Sequence, residues 1–193
     1  MRPEPFQIHP ERLYQTLLTF ADLLDAQRAH YMIIGAMAVA VWGTPRGTAD
    51  LDFSVLTDPQ RLDALGEESE RRGFVIDRQW LEWNPLQRGV QIRLKSGDLL
   101  IDVARPRDQH DVEALHRRRA LKVEGRDVWF VSPEDLIVMK LKAGRPRDFE
   151  DAISVLARQK GRLDDAYIAD WAWKLGVYDE LAYILRGGTF DFG

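Results

Sequence analysis

The sequence predicts a mixed α/β (α+β) domain, a sheet flanked by helices, followed by a helical C-terminal part. Three observations carry that expectation. Short apolar or alternating segments recur between residues 31 and 131, interleaved with stretches of helical spacing. The first of these segments runs directly into a glycine and then a buried helix. Beyond residue 131 the strand pattern stops and every remaining segment reads as helix. The α/β part is therefore expected over residues 1–131 and the helical part, packed on it, over 132–193.

After a proline-punctuated leader, Leu13, Leu17, Phe20 and Leu24 recur at helical spacing, which predicts an amphipathic helix over Pro10 to Arg28. Tyr31 to Ile34 is a short buried strand ending at Gly35, and Ala36 to Trp42 is a buried helix stopped by Gly43 and Pro45. Asp50 to Val55 alternates as a strand, and a polar helix follows over Pro59 to Arg72. Phe74 to Ile76 is a strand, with Trp80 and Trp83 in a less regular stretch behind it. Val90–Leu94 and Leu99–Ala104 flank the turn Ser96-Gly97-Asp98 and read as a hairpin. A helix is expected over Asp111 to Ala120 and a last strand over Val128 to Val131. Ser132, Pro133 and Asp135 then supply an N-cap hydroxyl, a first-position proline and acids in the first turn of a helix reaching Ala143. A second helix carries Phe149, Ile153 and Leu156. Two more are expected at 166–175 and 179–185, before Gly187-Gly188 ends order.

A chain of 193 residues with 45% hydrophobic content and six tryptophans has material for one core. Its net charge of −4 argues against non-specific coating of nucleic acid, while leaving room for a local basic groove. The absence of cysteine excludes disulfides, thiolate catalysis and Cys-type zinc sites. Met1-Arg2-Pro3-Glu4-Pro5 lacks the plan of a signal peptide, and the longest apolar run, Tyr31 to Trp42, falls short of the ~20 residues that span a bilayer. A cytoplasmic location and no membrane partner are expected.

Chemistry concentrates in the central strand. Leu51, Phe53 and Val55 point to one face, and Asp50, Asp52 and Ser54 to the other. Two carboxylates one pleat apart repel each other unless a raised pKa, a basic partner or a metal compensates them. An isolated pair of this kind also reads simply as the solvent face of a half-exposed strand. In Leu99 to Ala104 the odd positions are apolar, so Asp102 faces away from them in an otherwise apolar strand, where a carboxylate is expensive unless paired or metal-bound. If the two strands are neighbours, Asp50, Asp52 and Asp102 form an oxygen-only cluster suited to Mg²⁺ or Mn²⁺ together with substrate phosphates. Gly35 lets backbone approach a ligand, and the helix beginning at Ala36 offers free N–H groups to an anion; a tight strand-to-helix turn is the plainer reading.

The ordered set Ile34-Gly35-Ala36, then Asp50-Leu51-Asp52, then Asp102 resembles the DNA polymerase β-like nucleotidyltransferase superfamily. Arg46-x-Thr48-x-Asp50-x-Asp52, Ser132-Pro133-Glu134-Asp135-Leu136, Lys140-Leu141-Lys142-Ala143, Arg147-Asp148 and Asp151 are similar to the abortive-infection type, the toxins of bacterial toxin–antitoxin pairs and their relatives. The resemblance spans roughly residues 30 to 157. It implies a nucleotidyltransferase-type sheet and an NTP substrate. Asp50 and Asp52 would hold the metals, and Asp102 would complete the site or act as base. Gly35 and Ala36 would lie under the nucleotide phosphates, with Arg46, Thr48, Asp148 and Asp151 also on the nucleotide and Lys140 reaching a phosphate or the attacking group. It leaves the acceptor open among RNA such as tRNA, protein and a small molecule of aminoglycoside type, with an antitoxin as partner. Ala36 departs from the second glycine or serine usual there and removes a hydroxyl that would contact phosphate. A non-catalytic nucleotide- or partner-binding module on the same fold is the alternative.

Lys140 stands out on its own chemistry. It lies in a helix apolar nearly all round, so its ammonium needs a buried partner, a cleft, or a route to solvent. Asp148 and Asp151 sit at i and i+3 of the next helix and either orient Lys140 or the substrate, or pair with Arg145 and Arg147. Two basic clusters, Arg117-Arg118-Arg119 with Lys122, and Lys140, Lys142, Arg145 and Arg147, would accept an RNA backbone if they bordered one cleft. Trp171 and Trp173 offer an apolar contact surface on a late helix. The histidines are assigned nothing.

Overall fold

The computed structural model describes residues 10–186; the leader and the Gly187-Gly188 stop lie outside the described residues. In chain order it runs α1 (Pro10–Ala26), β1 (His30–Ile34), α2 (Gly35–Trp42), β2 (Asp50–Leu56), α3 (Pro59–Arg71), β3 (Val75–Ile76), α4 (Arg78–Trp83), β4 (Gln91–Ser96) and β5 (Leu99–Ala104). There follow α5 (Gln109–His116), β6 (Arg119–Val123), β7 (Arg126–Phe130), α6 (Pro133–Ala143), α7 (Pro146–Arg158), α8 (Asp165–Lys174) and α9 (Tyr178–Leu185). The strands form one mixed sheet in the order β3-β4-β5-β2-β1-β7-β6. The strand carrying the aspartate pair is its centre. β2 runs antiparallel to β1 and parallel to β5.

The alternation of β2 explains its place. Leu51, Phe53 and Val55 are fully buried, and α1 covers them with Leu17, Phe20 and Leu24. The Phe20 ring meets Phe53 edge-on at 4.9 Å and Phe74 at 5.3 Å. On the opposite side α2 packs against β2, α6 and α7. The end of α2 is fastened to α7, where Gln159 Nε2 donates to the carbonyl of Trp42 at 2.8 Å. α6 starts as expected: the Ser132 hydroxyl accepts from the Asp135 N–H and Pro133 takes the first turn, while Gly144 in the left-handed region (φ 67°) ends it. One continuous set of buried side chains runs from α1 to α9.

Two local expectations are corrected. The stretch holding Trp80 and Trp83 is a short helix, α4, because Asp77 caps it by accepting from the Trp80 N–H at 3.2 Å. The helix expected to reach Ala120 stops at His116, and Arg119–Val123 pairs instead with β7 as an edge strand. The turn between those strands, Glu124-Gly125, has positive φ at both positions (48° and 82°), the backbone that lets a two-residue hairpin follow sheet twist. No helix among the described residues is long and apolar enough to cross a membrane.

Candidate active site

The register of β2 with β5 sets Asp52 directly beside Asp102, and Asp50 lies one pleat earlier on the same face. These carboxylates line a cleft of about 840 Å³ whose far wall comes from α6 and the start of α7. Eight arginines and lysines line it against five aspartates, a surplus of three positive charges in a chain whose total is −4. Cations gathered around a carboxylate floor suit a polyanionic ligand brought in with a divalent metal.

Asp52 carries the strain of the arrangement. Burial, then the charges of Asp102 and Asp50, push its carboxyl up to about 6, against a smaller pull down from Lys140 and Arg145. Among the described residues no hydrogen bond or ion pair reaches the carboxylate of Asp50 or Asp52. Gly35 makes the close packing here possible. It opens α2 at φ 63°, and a Cβ in its place would collide with Asp52 Oδ2. Gly35→Ala is accordingly expected to lose about 1 kcal/mol for the backbone conformation alone. It should also displace Asp52, so thermal melting and Mn²⁺ titration should both show damage; Mn²⁺ binding equal to wild type would contradict this placement. Ala36 is buried behind Gly35 and lines the cleft.

Asp102 is paired. Arg93, opposite it across the β4–β5 hairpin, donates from Nε and Nη2 to its two oxygens at 2.7 and 2.6 Å. The guanidinium also rests over the Trp80 ring, 4.7 Å from its centroid. Arg93 was missed in the sequence, although the two-residue turn Gly97-Asp98 pairs Ser96 with Leu99, and counting back from it gives this partner.

On the far wall Lys140 is 6% exposed, so it does not snorkel. Its ammonium donates to Asp148 at 2.9 Å and Asp151 at 2.8 Å. Asp151 also accepts both Nε and Nη2 of Arg46, at 2.9 and 3.0 Å, and Asp148 accepts Arg145. Both alternatives raised for the two aspartates are thus realised at once, except that Arg147 takes no part. Burial raises the carboxyls of Asp148 and Asp151, but Arg145 with Lys140, and Arg46 with Lys140, outweigh it and hold both below the ordinary value. Thr48 stands at the entrance to β2, its hydroxyl exchanging hydrogen bonds with the backbone of Asp50 at 3.1 Å.

The two basic clusters do not border one cleft. Arg117 and Arg119 pair with the buried acids Asp135 and Glu134, Arg118 lies over Trp129, and Lys122 meets Asp127. Behind them is a buried network that sequence reasoning missed, with His110 3.2 Å from Asp135 and packed on Trp171. Asp108, His110 and Asp111 lie close enough to suggest a metal, but Lys142 already sits on both acids at 2.7 and 2.5 Å. Trp171 is buried, and Trp173 alone of the pair is exposed.

Residues 12–164 match the family described as nucleotidyltransferase of unknown function (DUF6036). The chain belongs to that family. Among solved structures, this DUF6036 nucleotidyltransferase is similar in fold to ANT(2'')-Ia in complex with adenylyl-2''-tobramycin. The TM-score there is 0.60 at 15% identity, covering 84% of this chain and 98% of that one. The lincomycin-bound lincosamide antibiotic adenylyltransferase LnuA is similar at a TM-score of 0.52 and 14% identity, over 78% of this chain and 98% of that one. In sequence, a dTTP/UTP pyrophosphatase from Desulfotalea psychrophila is 29% identical over 103 residues, 51% of this chain and 48% of that protein. The chain thus spans about half the length of the curated relative it matches.

The donor set fits a hard divalent cation. Asp50 and Asp52 present unpaired oxygens at the cleft floor, and the elevated carboxyl of Asp52 is what a nearby positive charge would relieve. Asp102 stands beside Asp52 with Arg93 on both of its oxygens.

Proposed function

We propose that this cleft moves a nucleoside monophosphate from an NTP to an acceptor hydroxyl, releasing pyrophosphate, with Mg²⁺ or Mn²⁺ held by Asp50 and Asp52 and completed by Asp102. The observation that carries the reading is the carboxylate floor set by the β2–β5 register under a cationic wall. The metal would supply charge neutralisation at the phosphates. The chain's own part is positioning: Gly35 lets Asp52 pack against the start of α2, the first backbone N–H groups of that helix would meet an anion, and the far wall offsets phosphate charge. In this reading residues 1–131 bring the carboxylates and 132–193 bring the wall of Lys140 and Asp148, with Asp151 behind it holding Lys140 and Arg46. An NTP donor places the reaction in the cytoplasm.

RNA (tRNA above all) or a protein hydroxyl is the acceptor the sequence resemblance favours. The internal pairing of Arg117 and Arg119 removes part of the charge an RNA backbone would have met, and this favours a small hydroxylated acceptor as second reading. The fold neighbours solved with adenylyl-2''-tobramycin and with lincomycin are consistent with it. Incubation with each α-labelled NTP and dTTP, Mg²⁺ and fractionated lysate, beside Asp50→Asn/Asp52→Asn, separates these. Label in RNA or protein only with intact aspartates supports the first reading, and there a toxin restrained by an antitoxin becomes the form to pursue. Label in the small-molecule fraction supports the second. Mg²⁺-independent nucleotide binding without transfer would leave a binding module.

A further inference from the structure

We infer that Arg93 is a positioning residue that competes with the divalent cation for Asp102, so that the third carboxylate enters the site only when Arg93 lets go. The inference rests on the proposed metal reading of Asp50 and Asp52 and adds the device that controls their neighbour. The β4–β5 register puts the Arg93 fork on both oxygens of Asp102 at 2.7 and 2.6 Å. Such two-point pairing of guanidinium and carboxylate is strong and directional. The pair is largely out of water, the side chains being 23% and 15% exposed, so the attraction is weakly screened. A carboxylate has lone pairs left after accepting two hydrogen bonds, but a divalent cation there would face a guanidinium at contact range.

Arg93 has somewhere else to rest. Its guanidinium already lies on the Trp80 ring, and the charges of Asp50 and Asp77 also act on it. Asp77 caps α4 and is itself held by Lys95 at 2.7 Å, so the Trp80 shelf is anchored to β4 independently of Asp102. Sliding along that shelf frees both oxygens without expelling a cation into an apolar region.

The test is Mn²⁺ binding to the full chain without nucleotide, read from the electron paramagnetic resonance signal of free Mn²⁺. Arg93→Lys keeps the charge and loses the fork; Arg93→Met loses both; each is also made with Asp102→Asn. Tightening by about tenfold is expected in Arg93→Met, which removes the competing charge, and a smaller gain in Arg93→Lys. Both gains should vanish in the Asp102→Asn background. No gain in either single variant overturns the inference. Gains that persist with Asp102→Asn overturn it as well, since they would reflect general charge at a distance. Failure of the underlying reading looks different: wild type would then show no Mn²⁺ binding that Asp52→Asn removes. Should Arg93→Met fold poorly by circular dichroism, Arg93→Lys alone decides, because the loss of a charge cannot explain a gain there.

Discussion

Asp52→Asn is expected to melt at a higher temperature than wild type in metal-free buffer at pH 7, while abolishing nucleotidyl transfer. The carboxyl of Asp52 is raised from 3.8 to about 6, first by burial and then by Asp102 and Asp50. A folded-state value above the unfolded one means the native protein binds more protons between roughly pH 4 and pH 6, so stability falls as pH rises through that window. At pH 7 the ionised group therefore opposes folding, by at most about 3 kcal/mol. Asparagine keeps the shape and removes the charge, which should raise the melting temperature by roughly 5–10 °C. Below about pH 4 wild-type Asp52 is protonated and the two proteins should converge. A divalent cation should narrow the gap at pH 7 by stabilising only the wild type. In metal-free buffer the pH window over which wild-type stability falls should move down in Asp102→Asn, which removes one of the charges that raise Asp52. A variant less stable than wild type at pH 7, or equally shifted at pH 4 and 7, would refute the account of a repulsive cluster.

That trade between stability and chemistry explains which parts of the site were readable in the sequence. The face of β2 is legible because alternation is a property of one strand, and Asp102 stands out because its own strand is apolar on every other position. Both signals are local. The partnership of Asp52 with Asp102 is a matter of strand order, which no local pattern states. Lys140 could be recognised as a charge in need of a partner, and Asp148 and Asp151 were named beside it, but the sharing of each acid with a second cation depends on how α7 packs. Arg93 looked like an ordinary polar position of a hairpin. β6 hid for a different reason: three arginines and a lysine around Arg119–Val123 mask a weak alternation, and Glu-Gly is a less familiar turn than Asn-Gly. His110 is buried by elements far apart in sequence, so its role in bracing α5 against α6 and α8 has no sequence signal.

Lys140→Met is expected to cost about 3–5 kcal/mol at pH 7 in urea denaturation, the largest loss of any single substitution in the cleft. The ammonium is shared by two aspartates that are 2% and 4% exposed, and its removal leaves each with one arginine in place of two cations. Methionine fills the volume but cannot satisfy either oxygen. The pH dependence fixes the cause. Asp148 and Asp151 are held below their ordinary values, so the stability they contribute is present above the unfolded value and disappears as pH falls through the folded one. The penalty of Lys140→Met should therefore shrink steadily towards acid pH. Adding Asp148→Asn and Asp151→Asn should recover part of the stability at pH 7, because the two buried carboxylates no longer stand short of a cation; the remainder stays lost, since Arg46 and Arg145 keep their charges and lose their partners. Lys140 also pulls Asp52 down, so in metal-free buffer the pH window over which Asp52 costs stability should move upward in any Lys140→Met protein that folds. The opposite pattern is informative: wild-type stability with transfer lost would assign Lys140 to the substrate phosphates, and its two aspartates to holding it there.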